Sequence, residues 1–128
     1  MTTDPNQGAL PHIKVLDLSR VLAGPWCTQM LADLGADVVK VERPGAGDDT
    51  RHWGPPFLQD AQGQDTQQAT YFTACNRNKR SVVLDLKKPE QREQLLALCK
   101  TADVLTYNIR PASMTRLGLS YDTLHAIN

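Results

Sequence analysis

Long apolar runs are missing from this sequence: no stretch approaches the roughly 20 consecutive apolar residues that a membrane-spanning helix needs. The first residues have neither the basic start nor the apolar centre of a signal peptide, and we expect residues 1–11 to form a loose tail. Excess charge is missing as well, because 14 basic residues balance 14 acidic ones. Bulk charge therefore gives no reason to expect a nucleic-acid partner. These absences predict a cytoplasmic protein that contacts neither membrane nor nucleic acid.

Cysteine is also scarce, with Cys27, Cys75 and Cys99 widely separated in apolar surroundings. Their odd number and the lack of a metal-binding spacing predict buried free thiols in a reducing compartment and no bound metal. No histidine lies close in sequence to a cysteine or to Ser19, so the sequence gives no signal for a nucleophile paired with a base.

Residues 13–43 contain the clearest pattern, which predicts a strand, a tight turn, a helix and a second strand. Gly24-Pro25 opens the predicted helix, since proline at the first helical position loses no hydrogen bond. Apolar residues at helical spacing predict one buried helix face: Cys27, Met30, Leu31 and Leu34. Two strands joined by a helix in this way must be parallel, and ligands of such units lie beyond the strands' carboxyl ends.

The rest of the chain continues the alternation of strands and helices. We predict a long loop over 43–68, strands over 81–86 and 103–106, and helices over 69–75, 89–100, 111–117 and 121–127. This order indicates an α/β fold with a Rossmann-like, doubly wound, mostly parallel sheet and helices on both faces. Asp17 and Asp85 lie in otherwise apolar predicted strands, where a structural partner is favoured over an acid with a raised pKa.

Two kinds of ligand fit this topology. A dinucleotide site would use Glu42 for the ribose, but the turn SRVLAGP has a single glycine and lacks GxGxxG, so neither a nicotinamide nor a flavin is expected. A phosphorylated ligand could instead be held by basic side chains near strand ends and helix starts: Arg43, Arg51, Arg77, Lys79, Arg80, Lys87, Lys88, Arg110 and Arg116. Composition alone favours a solvated basic rim.

The motifs LAGP, VERPGAGDDTR, NRNKRS and RLGL occur in this order and closely resemble the N-terminal part of class III CoA-transferases. This group includes formyl-CoA transferase, carnitine CoA-transferase and the bile-acid-inducible CoA-transferases. The resemblance covers residues 12–128 and implies part of a large Rossmann-like domain within a longer chain that forms an interlocked homodimer. The remainder of that chain is then an implied partner.

The resemblance also implies an activity: transfer of CoA from an acyl-CoA to a carboxylic acid through an aspartyl anhydride and an aspartyl-CoA thioester. Coenzyme A or acyl-CoA is the implied substrate, with a carboxylic acid as acceptor. The nucleophilic Asp is expected beyond Asn128, so no catalytic residue is assigned here and the segment alone is expected to be inactive.

The family motifs imply CoA contacts by Leu22, Ala23, Arg43, Leu84, Asp85, Leu86, Lys87, Asn108, Ile109, Arg110 and Arg116. Tyr107, Ile109 and Ala112 depart from the family pattern, which usually has an acid, an aromatic residue and a glycine there. Trp53 and Phe57 have no obvious partner and predict exposed apolar surface and self-association. Two other functions stay open: a stand-alone, non-catalytic nucleotide-binding or oligomerisation module, and a dinucleotide-binding oxidoreductase domain.

Overall fold

The structure is a computed structural model that describes residues 8–128. Its strands are β1 (Lys14–Asp17), β2 (Asp37–Glu42), β3 (Phe57–Gln59), β4 (Asp65–Ala69), β5 (Arg80–Val83) and β6 (Val104–Thr106). Its α-helices are α1 (Ala23–Asp33), α2 (Thr70–Asn76), α3 (Pro89–Cys99), α4 (Pro111–Arg116) and α5 (Tyr121–Ile127), with a 3-10 helix at Asp49–His52.

The main sheet has the strand order β5-β2-β1-β6, and every neighbouring pair is parallel. Strand β1 lies in the centre, where Val15 pairs with Val38 on one side and with Val104 on the other. All four carboxyl ends therefore meet at one edge, as the sequence pattern predicted.

Helices cover both faces of this sheet, which confirms the predicted fold class. One face packs Leu16 and Val41 against Leu95 of α3 and Met114 of α4. The opposite face packs Val15, Ala32, Ala36 and Val38 together. Alternate residues of a strand point to opposite faces, so Asp17 and Lys40 share the second face with Val15 and Val38. That face is thus half apolar and half charged.

The predicted buried face of α1 was wrong for Cys27, Met30 and Leu34, which are exposed, whereas Leu31 is partly buried against the core. The helix buries Pro25, Thr28, Gln29 and Ala32 instead. Thr28 Oγ1 donates a hydrogen bond of 2.5 Å to the buried Asp17 carboxylate, which fixes the rotation of the helix. Leaving buried polar groups unpaired costs more than exposing one or two apolar side chains, so the polar contacts set the orientation.

Rotation of α1 leaves an apolar stripe at the surface. It consists of Leu22, Trp26, Met30 and Leu34, with exposures of 41, 53, 56 and 48%. Cys27 is exposed too, so the prediction of three buried thiols was wrong at this position. Cys75 and Cys99 are buried as predicted, and burial raises the pKa of both thiols.

The predicted loop over 43–68 also differs from the structure, because it contains the 3-10 helix and an antiparallel hairpin of β3 and β4. Asp60 organises the hairpin turn: its Oδ1 accepts hydrogen bonds of 2.9 Å from the amides of Gln62 and Gln64. Gly63 supplies the positive φ of 77° in this turn. The hairpin strands are mostly polar and exposed, so no hydrophobic alternation marked them.

Other segments lie close to their predicted positions. Strand β5 ends at Val83, earlier than predicted, and so residues 84–87 leave the sheet. In the predicted tail, residues 1–7 lie outside the described residues, whereas Leu10 packs near Ala36. None of the helices within residues 8–128 is long and apolar enough to traverse a lipid bilayer.

Candidate functional site

A cavity of about 510 Å³ opens at the edge of the sheet where the four parallel strands end. Each strand contributes its carboxyl end or the residues that follow it, and α4 closes one side through the residue after its last turn. The lining consists of Leu18, Arg20, Val41, Glu42, Arg43, Pro44, Leu84, Asp85, Leu86, Lys87, Ile109 and Leu117. The wall is therefore apolar, with charged groups at the rim.

Six of the predicted CoA contacts line this cavity: Arg43, Leu84, Asp85, Leu86, Lys87 and Ile109. The early end of β5 brings four of them into place, because residues 84–87 turn across the sheet edge instead of continuing the strand. Lys88 N–H donates to the Asp85 carbonyl at 2.9 Å, and Lys87 N–H donates to Asp85 Oδ1 at 3.1 Å, which closes this turn.

The remaining predicted contacts lie elsewhere. Leu22 and Ala23 are exposed at the start of α1. Arg110 precedes α4, and Arg116 lies at the end of that helix, where its Nη2 donates to Ser113 Oγ at 3.0 Å. Asn108 contacts the turn after β1, as described below. None of these five residues lines the cavity.

Six further lining residues were not among the predicted CoA contacts: Leu18, Arg20, Val41, Glu42, Pro44 and Leu117. Of these, Arg20, Glu42 and Pro44 lie in the two strand-end segments, 19–25 and 42–44, where the sequence pattern predicts a ligand. Leu117 ends α4 and carried no signal of its own.

Two arginines meet one carboxylate at the rim of the cavity. Arg20 Nη2 lies 3.1 Å from Asp49 Oδ2, and Arg43 pairs with the other oxygen of the same side chain. Arg43 Nε also donates to the Gly47 carbonyl at 3.0 Å. Two guanidinium groups share a single negative charge, so this rim carries an excess positive charge that suits a phosphate.

Glu42 is fully engaged inside the protein. Arg51 donates to both of its oxygens, at 2.6 and 2.7 Å, Ser81 Oγ donates at 2.6 Å, and the Asp48 amide donates at 2.9 Å. Burial by itself raises the pKa of Glu42, but these hydrogen bonds and the Arg51 charge outweigh it and lower that pKa to about 2. A ribose hydroxyl would have to displace one of these partners, which argues against Glu42 as a dinucleotide ligand.

The turn after β1 is held by contacts from several side chains. Asn108 Oδ1 accepts from the Arg20 amide at 3.0 Å, and Asn108 Nδ2 donates to the Arg20 carbonyl at 2.8 Å. Lys40 Nζ donates to the Ser19 carbonyl at 2.9 Å, and the Asp17 carboxylate accepts from the Ser19 amide at 2.9 Å. The amides and carbonyls of Ser19 and Arg20 thus all have side-chain partners.

Two buried ion pairs lie beneath that turn. Lys79 Nζ is 3.1 Å from Asp17, and Lys40 Nζ is 2.9 Å from Asp48. Burial lowers the pKa of Lys79, although the Asp17 carboxylate opposes this. Burial raises the pKa of Asp48, but hydrogen bonding to Lys40 and Thr50 outweighs it and leaves that pKa lowered. The structural partner predicted for Asp17 is confirmed.

Across residues 8–128, no three or more His, Cys, Asp or Glu side chains come together in a way that could hold a metal ion. The site in this part of the chain is therefore described by its cavity, its arginine rim and its side-chain-held turn.

Comparison with known proteins defines the class. The sequence profile of CoA-transferase family III matches residues 10–128, and the chain belongs to this family. It is 50% identical over 129 residues to succinate--glutarate CoA-transferase of Agrobacterium fabrum, covering all of this chain and 32% of that protein. It is 47% identical over 120 residues to formyl-CoA:oxalate CoA-transferase of Afipia carboxidovorans, covering 94% of this chain and 27% of that protein.

Solved structures agree with this assignment. The crystal structure of a CAIB/BAIF family protein from Brucella suis matches 96% of this chain at a TM-score of 0.87 and 48% identity. The match covers 32% of that protein. The chain thus spans about a third or less of the length of these relatives.

Proposed function

We propose that this chain forms the CoA-binding wall of an acyl-CoA:carboxylate CoA-transferase. The observation that carries the proposal is the cavity of about 510 Å³ at the carboxyl ends of the four parallel strands. Its size and its mixture of apolar walls with a few charged groups are typical of cofactor and ligand pockets. Ligands of open α/β sheets bind at this edge.

The lining suits the two halves of a CoA nucleotide. Leu18, Val41 and Leu84 offer apolar surface for the adenine, and Arg20 and Arg43 offer guanidinium groups for the phosphates. Lys87 is exposed at the opposite rim and can add a point charge. Leu22, Ala23, Asn108, Arg110 and Arg116 remain proposed contacts on the strength of the family motifs alone.

The proposed reaction follows the family's chemistry, in which an Asp carboxylate attacks the acyl-CoA thioester and forms an anhydride. Glu42, Asp48 and Asp49 are poor candidates for that role, because each is paired with a basic side chain. Asp85 lines the cavity without such a pair, but its Oδ1 accepts from the Lys87 amide and closes its own turn. We therefore propose that the nucleophile belongs to a part of the transferase outside this segment, and that this segment alone is inactive.

A dicarboxylic acyl group is the proposed substrate class. Similar proteins carry the names succinate--glutarate, succinyl-CoA:mesaconate and formyl-CoA:oxalate CoA-transferase, and each of these names includes a dicarboxylate. A homodimer and the remainder of the transferase chain are the proposed partners, in the cytoplasm. The exposed apolar stripe on α1 is consistent with such a partner surface.

Titration calorimetry with CoA tests the proposal, using Lys87→Gln and the matched control Lys88→Gln. Both lysines are exposed and adjacent, but only Lys87 lines the cavity. We expect Lys87→Gln to weaken CoA binding roughly tenfold, because a charge-assisted contact contributes about 1.5–3 kcal/mol before solvent screening. Lys88→Gln should bind like the unchanged chain.

Equal weakening by both variants would indicate nonspecific attraction of the anionic ligand instead of a site. Absence of CoA binding, together with a gene that encodes no Asp after a glycine-rich segment beyond codon 128, would contradict the transferase proposal. A stable fold that ignores CoA would then favour the stand-alone module, and binding of NADH would favour the oxidoreductase domain.

A further inference from the structure

The turn after β1 has a conformation that its own sequence does not favour. Val21 adopts a φ of 71°, in the left-handed region that is unfavourable for a β-branched residue. Something outside the turn must therefore hold it there.

Asp48 is the group that contacts the strained residue. Both of its carboxylate oxygens lie 3.3 Å from the Val21 amide nitrogen and accept from that N–H. The Asp48 side chain is fully buried, and it is itself fixed by Lys40 at 2.9 Å and by Thr50, whose amide and hydroxyl donate at 3.1 and 2.8 Å. The buried Asp48 carboxylate is thus a rigid, charged acceptor for the Val21 amide.

This turn positions part of the cavity wall. Leu18 and Arg20 line the cavity, and Arg20 lies between two fixed peptide groups. Asn108 holds Arg20 from the side of β6, with both polar atoms of its amide used on the Arg20 backbone. The Val21 N–H and the Arg20 carbonyl belong to one peptide plane, so loss of the Asp48 acceptor would release one side of the peptide that follows Arg20 and loosen the backbone that carries its side chain.

We propose that Asp48 is a positioning residue for CoA binding, which acts by holding the Val21 amide and so places Arg20 at the cavity rim. This inference rests on the proposed function, since CoA is the ligand whose phosphate Arg20 would meet. It assigns Asp48 a role through the backbone and not through contact with the ligand.

Two double variants separate this role from a plain structural ion pair. Lys40→Met with Asp48→Asn removes the buried charges but keeps a side-chain oxygen that can accept from Val21 N–H. Lys40→Met with Asp48→Leu removes the same charges and leaves no acceptor. Both double variants lose the Lys40 contact to the Ser19 carbonyl, so the two are compared with each other. We expect the Leu variant to bind CoA roughly tenfold more weakly than the Asn variant, at matched urea-unfolding midpoints.

A second measurement reports the turn directly. The three-bond coupling between the amide and α protons of Val21 depends on φ, and amide exchange at Val21 reports its hydrogen bond. The Asn variant should keep the coupling and the protection of the unchanged chain, and the Leu variant should lose both.

A backbone change covers the case in which the Leu variant does not fold. Ligation at Cys27 allows a peptide of residues 1–26 with an ester in place of the Val21 amide, which deletes the N–H and leaves Asp48 and Lys40 intact. This chain should also bind CoA roughly tenfold more weakly than the ligated natural sequence.

Equal CoA affinity in the two double variants, or in the ester chain and its control, would overturn the positioning role while leaving the proposed function standing. Failure of the unchanged chain to bind CoA would overturn the CoA role of Asp48 and, together with a gene that encodes no Asp after a glycine-rich segment beyond codon 128, the proposed function as well.

Discussion

At the residue scale, Glu42 links the cavity to the segment that follows β2. Its carboxylate receives Arg51 of the 3-10 helix, Ser81 of β5 and the amide of Asp48. Arg51 in turn lies 3.7 Å from the centre of the Phe72 ring in α2. One buried carboxylate thus connects the 3-10 helix and β5 to the end of β2, and through Arg51 also α2.

This arrangement makes the stability contribution of Glu42 depend on pH. Its folded pKa is about 2 against an ordinary value of 4.5, so the contribution is present above pH 4.5 and is lost as pH falls towards 2. The difference corresponds to a free energy on the order of 3 kcal/mol. We expect Glu42→Gln to be destabilised by about that much at pH 7, with the gap to the unchanged chain closing between pH 4.5 and 2.

Urea unfolding across this pH range measures the gap. Glu93→Gln, at an exposed position on α3, is the control and should show no such convergence. A gap between the Glu42 variant and the unchanged chain that stays constant from pH 7 to pH 2 would contradict the assigned pKa.

At the element scale, the sequence predicts the buried face of α3 more accurately than that of α1. In α3, apolar spacing predicts one face with Leu95, Leu98 and Cys99; Leu95 and Cys99 are buried against the sheet, whereas Leu98 is exposed. In α1, the apolar spacing predicted the wrong face, because Thr28 and Gln29 are buried in place of Met30 and Leu34. Periodicity finds an apolar face, but it cannot tell which face meets this core when buried charges such as Asp17 compete.

The packing of α3 gives a direct test. Leu95 is fully buried, whereas Leu98 on the same helix is 37% exposed. We expect Leu95→Ala to lower the free energy of unfolding by about 2–5 kcal/mol, since it removes apolar contacts and leaves a cavity. Leu98→Ala should lower the free energy of unfolding by less than about 1 kcal/mol, because part of the Leu98 side chain is already exposed to solvent.

Chemical denaturation measures the free energy of unfolding of both variants. The two values are comparable when both variants unfold with the same dependence on denaturant concentration. Equal losses for the two leucines would mean that the face of α3 towards the sheet is assigned incorrectly.

Sequence reasoning recovered the sheet and its ligand edge because the strands are short, β-branched and separated by clear helix starts. It missed the β3–β4 hairpin, because residues 65–68 are all polar, with two of them exposed and two partly buried, and so show no hydrophobic alternation. The family motifs located the 84–87 turn and Arg43, both of which line the cavity. The role of Asn108 could not be read from sequence, because it depends on a contact across 88 positions.

At the scale of the whole molecule, the apolar stripe of α1 is a candidate interaction surface. Leu22, Trp26, Met30 and Leu34 follow one another along the helix with half or nearly half of each side chain exposed. Neighbouring exposed apolar side chains of this size mark interaction surfaces in globular proteins. Trp53, by contrast, packs on Tyr71 with ring centres 5.5 Å apart, although half of it is exposed.

We expect this stripe to drive concentration-dependent self-association of the chain. Trp26→Lys combined with Met30→Lys should shift sedimentation velocity profiles towards monomer, since two charges would then have to be desolvated in any contact. Tyr121→Lys is the control, because Tyr121 is 73% exposed but lies on α5. If the Trp26/Met30 double variant leaves self-association unchanged, or the control reduces it equally, the surface responsible for self-association lies elsewhere.

The contact between Asn108 and Arg20 has a consequence for biosynthesis. Arg20 contributes to the cavity wall from the turn after β1, but the amide that holds its backbone is encoded 88 codons later. While the chain emerges from the ribosome, β1, α1 and β2 can assemble early, yet Arg20 lacks its second support until β6 has been translated. A nascent chain stalled before that point would contain β1 and β2 but would lack the contact that holds Arg20. We therefore expect the capacity to bind the ligand to be acquired late in translation.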